Sequence, residues 1–361
     1  MKKVYTAKDI QALVASGQPL SSIPDSAVLT PSAKDAIRDL KSKPAQAKSS
    51  NSSRVEPIVP DYEFKWKKGA DPKTPEAIEA FFNSPELRVL KERICDMGRR
   101  IWEKNYCDGN GGNITIRVGD NLVLCTPTLI SKGFIAVDDI CMVDLDGNQV
   151  AGSRKRTSEV NTHLAIMKAT PDAKSCVHAH PIHATAFAIA GVKPPTCLIP
   201  EPEVFLGEIA LAHYETPGTP ENAKAVGALA PDHQSIIMQN HGVICWGKDV
   251  EDAYWKMENT EAYCNTVYIA SQLGHGLNTY GGNKLQELIA IRRSLGMPDK
   301  REGLKECELC DNSEFSPGVV CVSSSGCDCE DNNNSSPSVD TSDAEAIVQK
   351  VTDLIMRQLS A

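Results

Sequence analysis

Long hydrophobic runs are missing from this chain. No stretch approaches the roughly 18 uninterrupted apolar residues of a membrane-spanning helix, so no span is expected. Basic stripes are missing too, which argues against a nucleic-acid partner. No export signal is legible: Met1-Lys2-Lys3 begins like one, but Lys8 and Asp9 break the apolar core that should follow. There is no internal repeat, no Walker loop and no dinucleotide fingerprint. What is present is globular composition: 361 residues, 41% hydrophobic and 24% charged. Length alone suggests about two domains. Cysteine, by contrast, is plentiful. Thirteen are spread through a large chain without an export signal, so reduced thiols and a cytoplasmic location are expected.

The net charge of −9 is unevenly placed. Residues 1–60 carry nine Lys/Arg against five Asp/Glu; residues 301–361 carry four against twelve. The ends therefore differ from the centre. Residues 1–44 read as a short helical module, with one helix around Asp9–Val14 and another capped by Thr30 and Pro31. Residues 45–73 read as a linker. The spacing predicts helices over 74–106, where Leu90, Ile94, Met97 and Ile101 share one stripe. Short strand-like runs then alternate with helices. Gly119-Asp120 and Asp146-Gly147-Asn148 mark hairpins between Ile114–Val118 and Asn121–Cys125, and between Cys141–Leu145 and Gln149–Ala151. Asp249–Leu273 and residues 283–295 read as helices. Residues 301–342 are rich in Ser, Asn, Asp and Cys and read as an acidic linker. Residues 343–361 recover a five-turn amphipathic pattern.

Chemistry concentrates in the centre. Cys176-Val-His178-Ala-His180-Pro181 suits a strand, where alternate side chains share a face. His178 and His180 would point the same way, at a spacing that can chelate one metal. Alone, such a pair is more often a chance arrangement. His241, in Gln239-Asn240-His241-Gly242, sits at a turn between two strand-like segments. It is placed to supply a third ligand, although by itself it fits an ordinary polar turn. Thr157-Ser158-Glu159 opens a helix over Val160–Ala169. The helix dipole is sufficient reason for a carboxylate there. Two hydroxyls and free N–H groups also make an anion site, and Glu159 beside a metal is a candidate general base. His163 reads as a hydrogen-bonding neighbour of Glu159, and His183 as structural. Gly109-Asn-Gly-Gly-Asn113 could cradle a phosphate.

In order, Gly112-Asn113-Ile-Thr-Ile-Arg117, Thr126-Pro127-Thr128, Thr157-Ser158-Glu159, His178-Ala-His180-Pro181 and Asn240-His241-Gly242 resemble the class II aldolase/adducin family. Within it they resemble the L-fuculose and L-rhamnulose 1-phosphate aldolases, over roughly residues 84–275. The resemblance implies an α/β fold, three-layer α/β/α around a mainly antiparallel sheet, here over residues 74–300. It implies one Zn2+ per subunit held by His178, His180 and His241, with Glu159 as acid/base. Asn113, Thr128, Thr157 and Ser158 fall at phosphate-binding positions. Tyr214 resembles a tyrosine that reaches a neighbouring subunit's site and protonates the aldehyde oxygen, implying a homotetramer. The implied reaction is retro-aldol cleavage of a 6-deoxy-ketose 1-phosphate to dihydroxyacetone phosphate and lactaldehyde. The alternatives are a related epimerase or dehydratase, and a non-catalytic adducin-like protein; three intact histidines and Glu at 159 favour cleavage. Leu129 departs from the glycine frequent after Thr-Pro-Thr, which removes an easy backbone approach to phosphate.

The ends fall outside this resemblance. Residues 343–361 after a Ser/Asn-rich linker resemble encapsulation peptides of bacterial microcompartments, implying cargo or shell contacts in that lumen. A helix with three acids and two bases is poorly suited to an anionic membrane. Cys307, Cys310, Cys321, Cys327 and Cys329 could hold a second zinc, or form a redox-sensitive tail.

Overall fold

The computed structural model describes residues 4–16, 23–24, 27–34, 37 and 63–315. Two units are distinct, Met1–Asp61 and Tyr62–Ala361. In the first, β1 (Val4–Tyr5) pairs in parallel with β2 (Val28–Leu29), and α1 (Ala7–Ala15) follows β1. Tyr5, Ile10 and Ala33 form its small core. Thr30 accepts from the Ala33 N–H at 3.3 Å, the capping its sequence predicts.

In the second unit, helix starts follow one local rule. Thr74-Pro75, Ser84-Pro85 and Thr219-Pro220 each put a hydroxyl before a proline. The hydroxyls accept from Ala77, Leu87 and Asn222 at 3.2, 3.3 and 3.2 Å, and proline, needing no N–H partner, takes the first helical position. The first two open α2 (Pro75–Phe82) and α3 (Pro85–Glu103). On α3 the stripe of Leu90, Ile94, Met97 and Ile101 is buried as its spacing predicts.

One eight-stranded sheet forms the centre of this unit. Its strands are β3 (Asn113–Arg117), β4 (Leu122–Cys125), β5 (Cys141–Asp144), β6 (Gln149–Ala151), β7 (Ser175–Ala179), β8 (Ala210–Ala212), β9 (Ser235–Met238) and β10 (Gly242–Gly247). The order is β6-β5-β4-β3-β7-β10-β9-β8, and only β8–β9 is parallel. Both expected hairpins, β3–β4 and β5–β6, are present.

Strand alternation divides the core. Ile114, Ile116, Val177, Ala179, Val243 and Cys245 join one cluster, with residues of α3, α5 (Ile182–Ala190) and α8 (Val250–Ser271). Val123, Cys125, Cys176, Ile244 and Trp246 join the other, with residues of α4 (Val160–Ala169) and α7 (Pro220–Leu229). The result is the three-layer α/β/α arrangement expected. Among the described residues no helix is long and apolar enough to cross a membrane.

Three expectations need correcting. The 45–73 linker ends sooner than expected, because Trp66 donates to Asp120 at 3.0 Å. Asp71 also accepts from the Asp120 and Asn121 N–H groups at 3.0 and 2.7 Å, fastening the β3–β4 turn. The 301–342 linker begins later than expected, because residues 301–315 pack on the body. Arg301 is buried between Glu203, on α6 (Pro200–Phe205), and Asp299. Leu309 packs on α9 (Gly282–Ser294) through Leu285 and Ile289, next to the turn α10 (Glu306–Leu309). Finally, the expectation of reduced thiols fails at one pair: Cys197 and Cys310 form a disulfide. Bonded to Cys197, Cys310 is withdrawn from the set of cysteines suggested for a second zinc. Cys321, Cys327, Cys329 and the expected helix at 343–361 lie outside the described residues.

Candidate active site

Sheet order brings distant motifs together at one edge of the fold. Asn113 on β3 is in register with His178 on β7, and Ala179 with Val243 on β10, next to His241. Because Cys176 and His178 alternate with Val177 and Ala179, His178 faces α4, at whose N-terminus Glu159 stands. Two glycines permit the close approach. At Gly112 (φ +76°) a Cβ would lie 2.8 Å from the His178 carbonyl oxygen. At Gly242 it would lie 2.7 Å from that of Ala179.

The three histidines offer nitrogen atoms within 4.8 Å of one another. His178 Nδ1 donates to the Val243 carbonyl at 2.8 Å and His180 Nδ1 to the Asp108 carboxylate at 2.6 Å. With those protons committed, both Nε2 atoms present lone pairs, yet they lie 3.2 Å apart. His241 Nδ1 is buried with no hydrogen-bond partner among the described residues. Facing lone pairs on converging rings fit a cation among them. Three neutral imidazoles are the ligand set of an open catalytic metal site. Burial and the neighbouring rings push His178 well below its ordinary pKa and His241 down to about 4, favouring the neutral form that binds metal.

Glu159 is the carboxylate beside these histidines. Its Oε1 lies 3.3 Å from His241 Nε2, and its Oε2 lies 3.7 Å from His178 Nε2. Burial raises its carboxyl pKa, opposed by a 2.8 Å hydrogen bond from Asn113 Nδ2. Asn113 is therefore Glu159's partner, while its own Oδ1 stays buried and unsatisfied among the described residues. His163 differs from expectation. It is fully buried and bonds Thr115 Oγ1 at 2.9 Å, not Glu159, because Glu159 precedes α4 and its side chain turns towards the histidines.

The hydroxyl motifs converge as well. Pro127 and Arg156 form an antiparallel bridge. The Thr128 N–H donates to the Lys155 carbonyl at 2.9 Å and the Thr157 N–H to that of Thr126 at 3.1 Å. Thr128 is half-buried, Thr157 buried and Ser158 exposed. Leu129 adopts φ +61° with its side chain 79% exposed. The left-handed backbone that glycine takes freely is thus kept, at a cost of about 1–2 kcal/mol for a side-chain-bearing residue, and the leucine stands clear of the backbone. Tyr214 is half exposed, and its hydroxyl makes no hydrogen bond to the histidines or Glu159 of its own chain.

Three residues escaped sequence reasoning. Asp108 orients His180. Lys132 is buried and donates to the Asn110 and Ile130 carbonyls, both at 2.7 Å, tying the glycine loop to the Thr126–Ile130 segment. Glu261 on α8 accepts from the His183 and Ala184 N–H groups at 3.1 and 2.9 Å and from His183 Nδ1 at 2.7 Å. It thereby caps α5 immediately after the His178–His180 pair. Only the Cys107-Asp108 step beside the glycine loop hints at one of them in sequence. Asp108→Ala is expected to weaken binding of a divalent metal about 10–100-fold, because His180 loses the partner that sets its tautomer. Competition against a chromophoric chelator measures this; unchanged affinity would refute it.

A family model described as the class II aldolase and adducin N-terminal domain matches residues 92–268. An L-fuculose phosphate aldolase of Methanococcus maripaludis is 38% identical over 182 residues, 50% of this chain and 96% of its own. A 3-oxo-tetronate 4-phosphate decarboxylase of Haemophilus influenzae is 33% identical over 175 residues, 47% of this chain and 81% of its own. Among solved structures, an L-fuculose 1-phosphate aldolase is similar with a TM-score of 0.53 at 22% identity, covering 59% of this chain and 98% of its own. That likeness concerns the fold.

Proposed function

The chain belongs to the class II aldolase and adducin family, and we propose that it is a zinc-dependent aldolase cleaving a 6-deoxy-ketose 1-phosphate. The substrate is L-fuculose or L-rhamnulose 1-phosphate and the products are dihydroxyacetone phosphate and lactaldehyde. The observation that supports this most is the placement of a half-buried carboxylate, Glu159, against histidines whose free nitrogens converge.

His178, His180 and His241 would hold the metal. Bound there, it supplies a Lewis acid that favours negative charge on substrate oxygens. The rest falls to the chain's own groups. Glu159, held by Asn113 and raised by burial, exchanges the proton at the carbon that becomes the terminus of dihydroxyacetone phosphate. Thr128, Thr157 and Ser158 offer hydroxyls for the phosphate, on two loops already zipped together. Cleavage takes a proton from the hydroxyl that becomes the aldehyde. Tyr214 of a neighbouring copy receives it as the phenolate, and donates it as the phenol in the reverse condensation. On this reading the protein is a homotetramer with shared sites. Residues 343–361 carry it as cargo into a bacterial microcompartment.

Assay of the zinc-loaded full chain tests the proposal. L-fuculose and L-rhamnulose 1-phosphates are supplied with and without a chelator, and L-ribulose 5-phosphate and 3-oxo-tetronate 4-phosphate run in parallel. Dihydroxyacetone phosphate from a deoxy-ketose phosphate, lost on chelation and restored by Zn2+, is expected. The decarboxylase relative makes carbon dioxide release the main competing outcome. Turnover of the tetronate alone, or epimerisation without cleavage, would replace the aldolase reading.

A further inference from the structure

The Cys197–Cys310 bond joins two differently held segments. On the body side, Cys197 is fully buried in a left-handed conformation (φ +64°). Its N–H donates to Glu203 at 2.8 Å, and its carbonyl accepts from the Tyr280 N–H at 3.1 Å. On the other side, Arg301 is locked to Glu203 and Asp299, but Gly303 follows at φ +90° with open space around it. Residues 304–315 then lie across the body. Asn312 accepts from the Thr196 N–H at 2.7 Å and donates to its carbonyl at 3.0 Å. Phe315 stacks on Phe187 of α5 with ring centroids 5.9 Å apart. Between the two lies a cavity of about 310 Å³, lined by Lys193, Thr196, Glu208 and Lys300 on one side and by Leu304 and Asp311 on the other. The site of cleavage proposed above plays no part in this arrangement.

We propose that Cys197–Cys310 is a reducible clasp on this strap. A dithiol opens it, residues 304–315 swing away about Gly303, and the cavity loses one of its two walls. The chain beyond residue 315 then loses its fixed point of departure from the body. Cys310 is only half-buried whereas Cys197 is inaccessible, so a reductant thiolate attacks Cys310 Sγ. The bond between the two protein sulfurs breaks, and Cys197 leaves as a thiolate and takes up a proton. The reagent's second thiol displaces Cys310, closing a cyclic disulfide. Two electrons and two protons pass to the protein. Without the cross-link, the strap depends on non-covalent contacts, among them Leu309, the Asn312 hydrogen bonds and the Phe315 stack. Its position next to α5, which follows the metal-binding pair, places the clasp beside the catalytic layer without making it part of the site.

Hydrogen–deuterium exchange on the full chain, with and without dithiothreitol, tests this. Without reductant, a digest should contain Cys197 linked to Cys310. With it, exchange over 304–315 should rise by on the order of tenfold, while peptides of β7 and β10 stay unchanged. Cys310→Ser should exchange like reduced protein with no reagent, and Cys307→Ser like the oxidised wild type. Unlinked cysteines in the oxidised protein, equal exchange over 304–315 in both states, or loss of the link in Cys307→Ser would each overturn the proposal.

Discussion

Glu159→Gln is expected to lower kcat about 10²–10⁴-fold, the range removed with a general acid–base, while metal content and KM change little. The amide keeps the volume of the carboxylate and can still meet Asn113, so the histidine cluster should stay assembled. What it cannot do is carry a proton. Glu159 is also the only carboxylate within 4 Å of His178 and His241 among the described residues. No neighbouring acid can take over its task. Steady-state kinetics on the deoxy-ketose phosphate, with metal analysis of the same sample, separate the two roles it could have. Falling kcat with a full metal complement marks an acid–base residue. Metal loss in parallel with activity would make Glu159 a ligand. Undiminished turnover would remove it from the mechanism.

How this site was legible follows from which contacts are local. His178 and His180 share a face because strand side chains alternate, and that rule operates within three residues. The β3–β4 and β5–β6 hairpins, the capped helices and the α3 stripe are similarly short-range. Placing His241 beside the pair needed the antiparallel pairing of β10 with β7, a contact between positions more than sixty residues apart; the family resemblance supplied it, and spacing could not. Where neither source reached, expectation failed. His163 sits one helical turn from Glu159, which suggested a pair. The β3 strand instead brings Thr115 to its ring, and Glu159 turns the other way. Asp108 meets His180 across 72 positions, and Cys197 meets Cys310 across 113. Leu129 looked like an obstacle because residue type was all that could be read. Its backbone keeps the glycine-like conformation, a property of the fold that residue type does not carry.

Arg301 carries the largest expected effect on stability. It was assigned by composition to an acidic linker, yet it is 4% exposed and meets Glu203 at 2.8 Å and Asp299 at 2.9 Å, both carboxylates also buried. Arg292, itself buried, lies 3.5 Å from the same Asp299 and donates to the Val204 carbonyl at 2.8 Å. The cluster holds two cations and two anions away from water. Its attraction offsets their desolvation only while all four are present. Arg301→Ala leaves Glu203 without its cation, in a medium that cannot solvate it. Removing one partner of a buried pair costs about 3–5 kcal/mol, which for a body of this size lowers Tm by roughly 8–15 °C. Adding Glu203→Gln should recover part of the loss, since the stranded charge is then gone. Glu203 also accepts from the Cys197 N–H, and a glutamine there can still do so. Thermal unfolding of the two variants under non-reducing conditions separates the ion cluster from the disulfide. A shift under about 2 °C for Arg301→Ala, the size expected of an exposed ion pair, would show that the ion cluster does not stabilise the body.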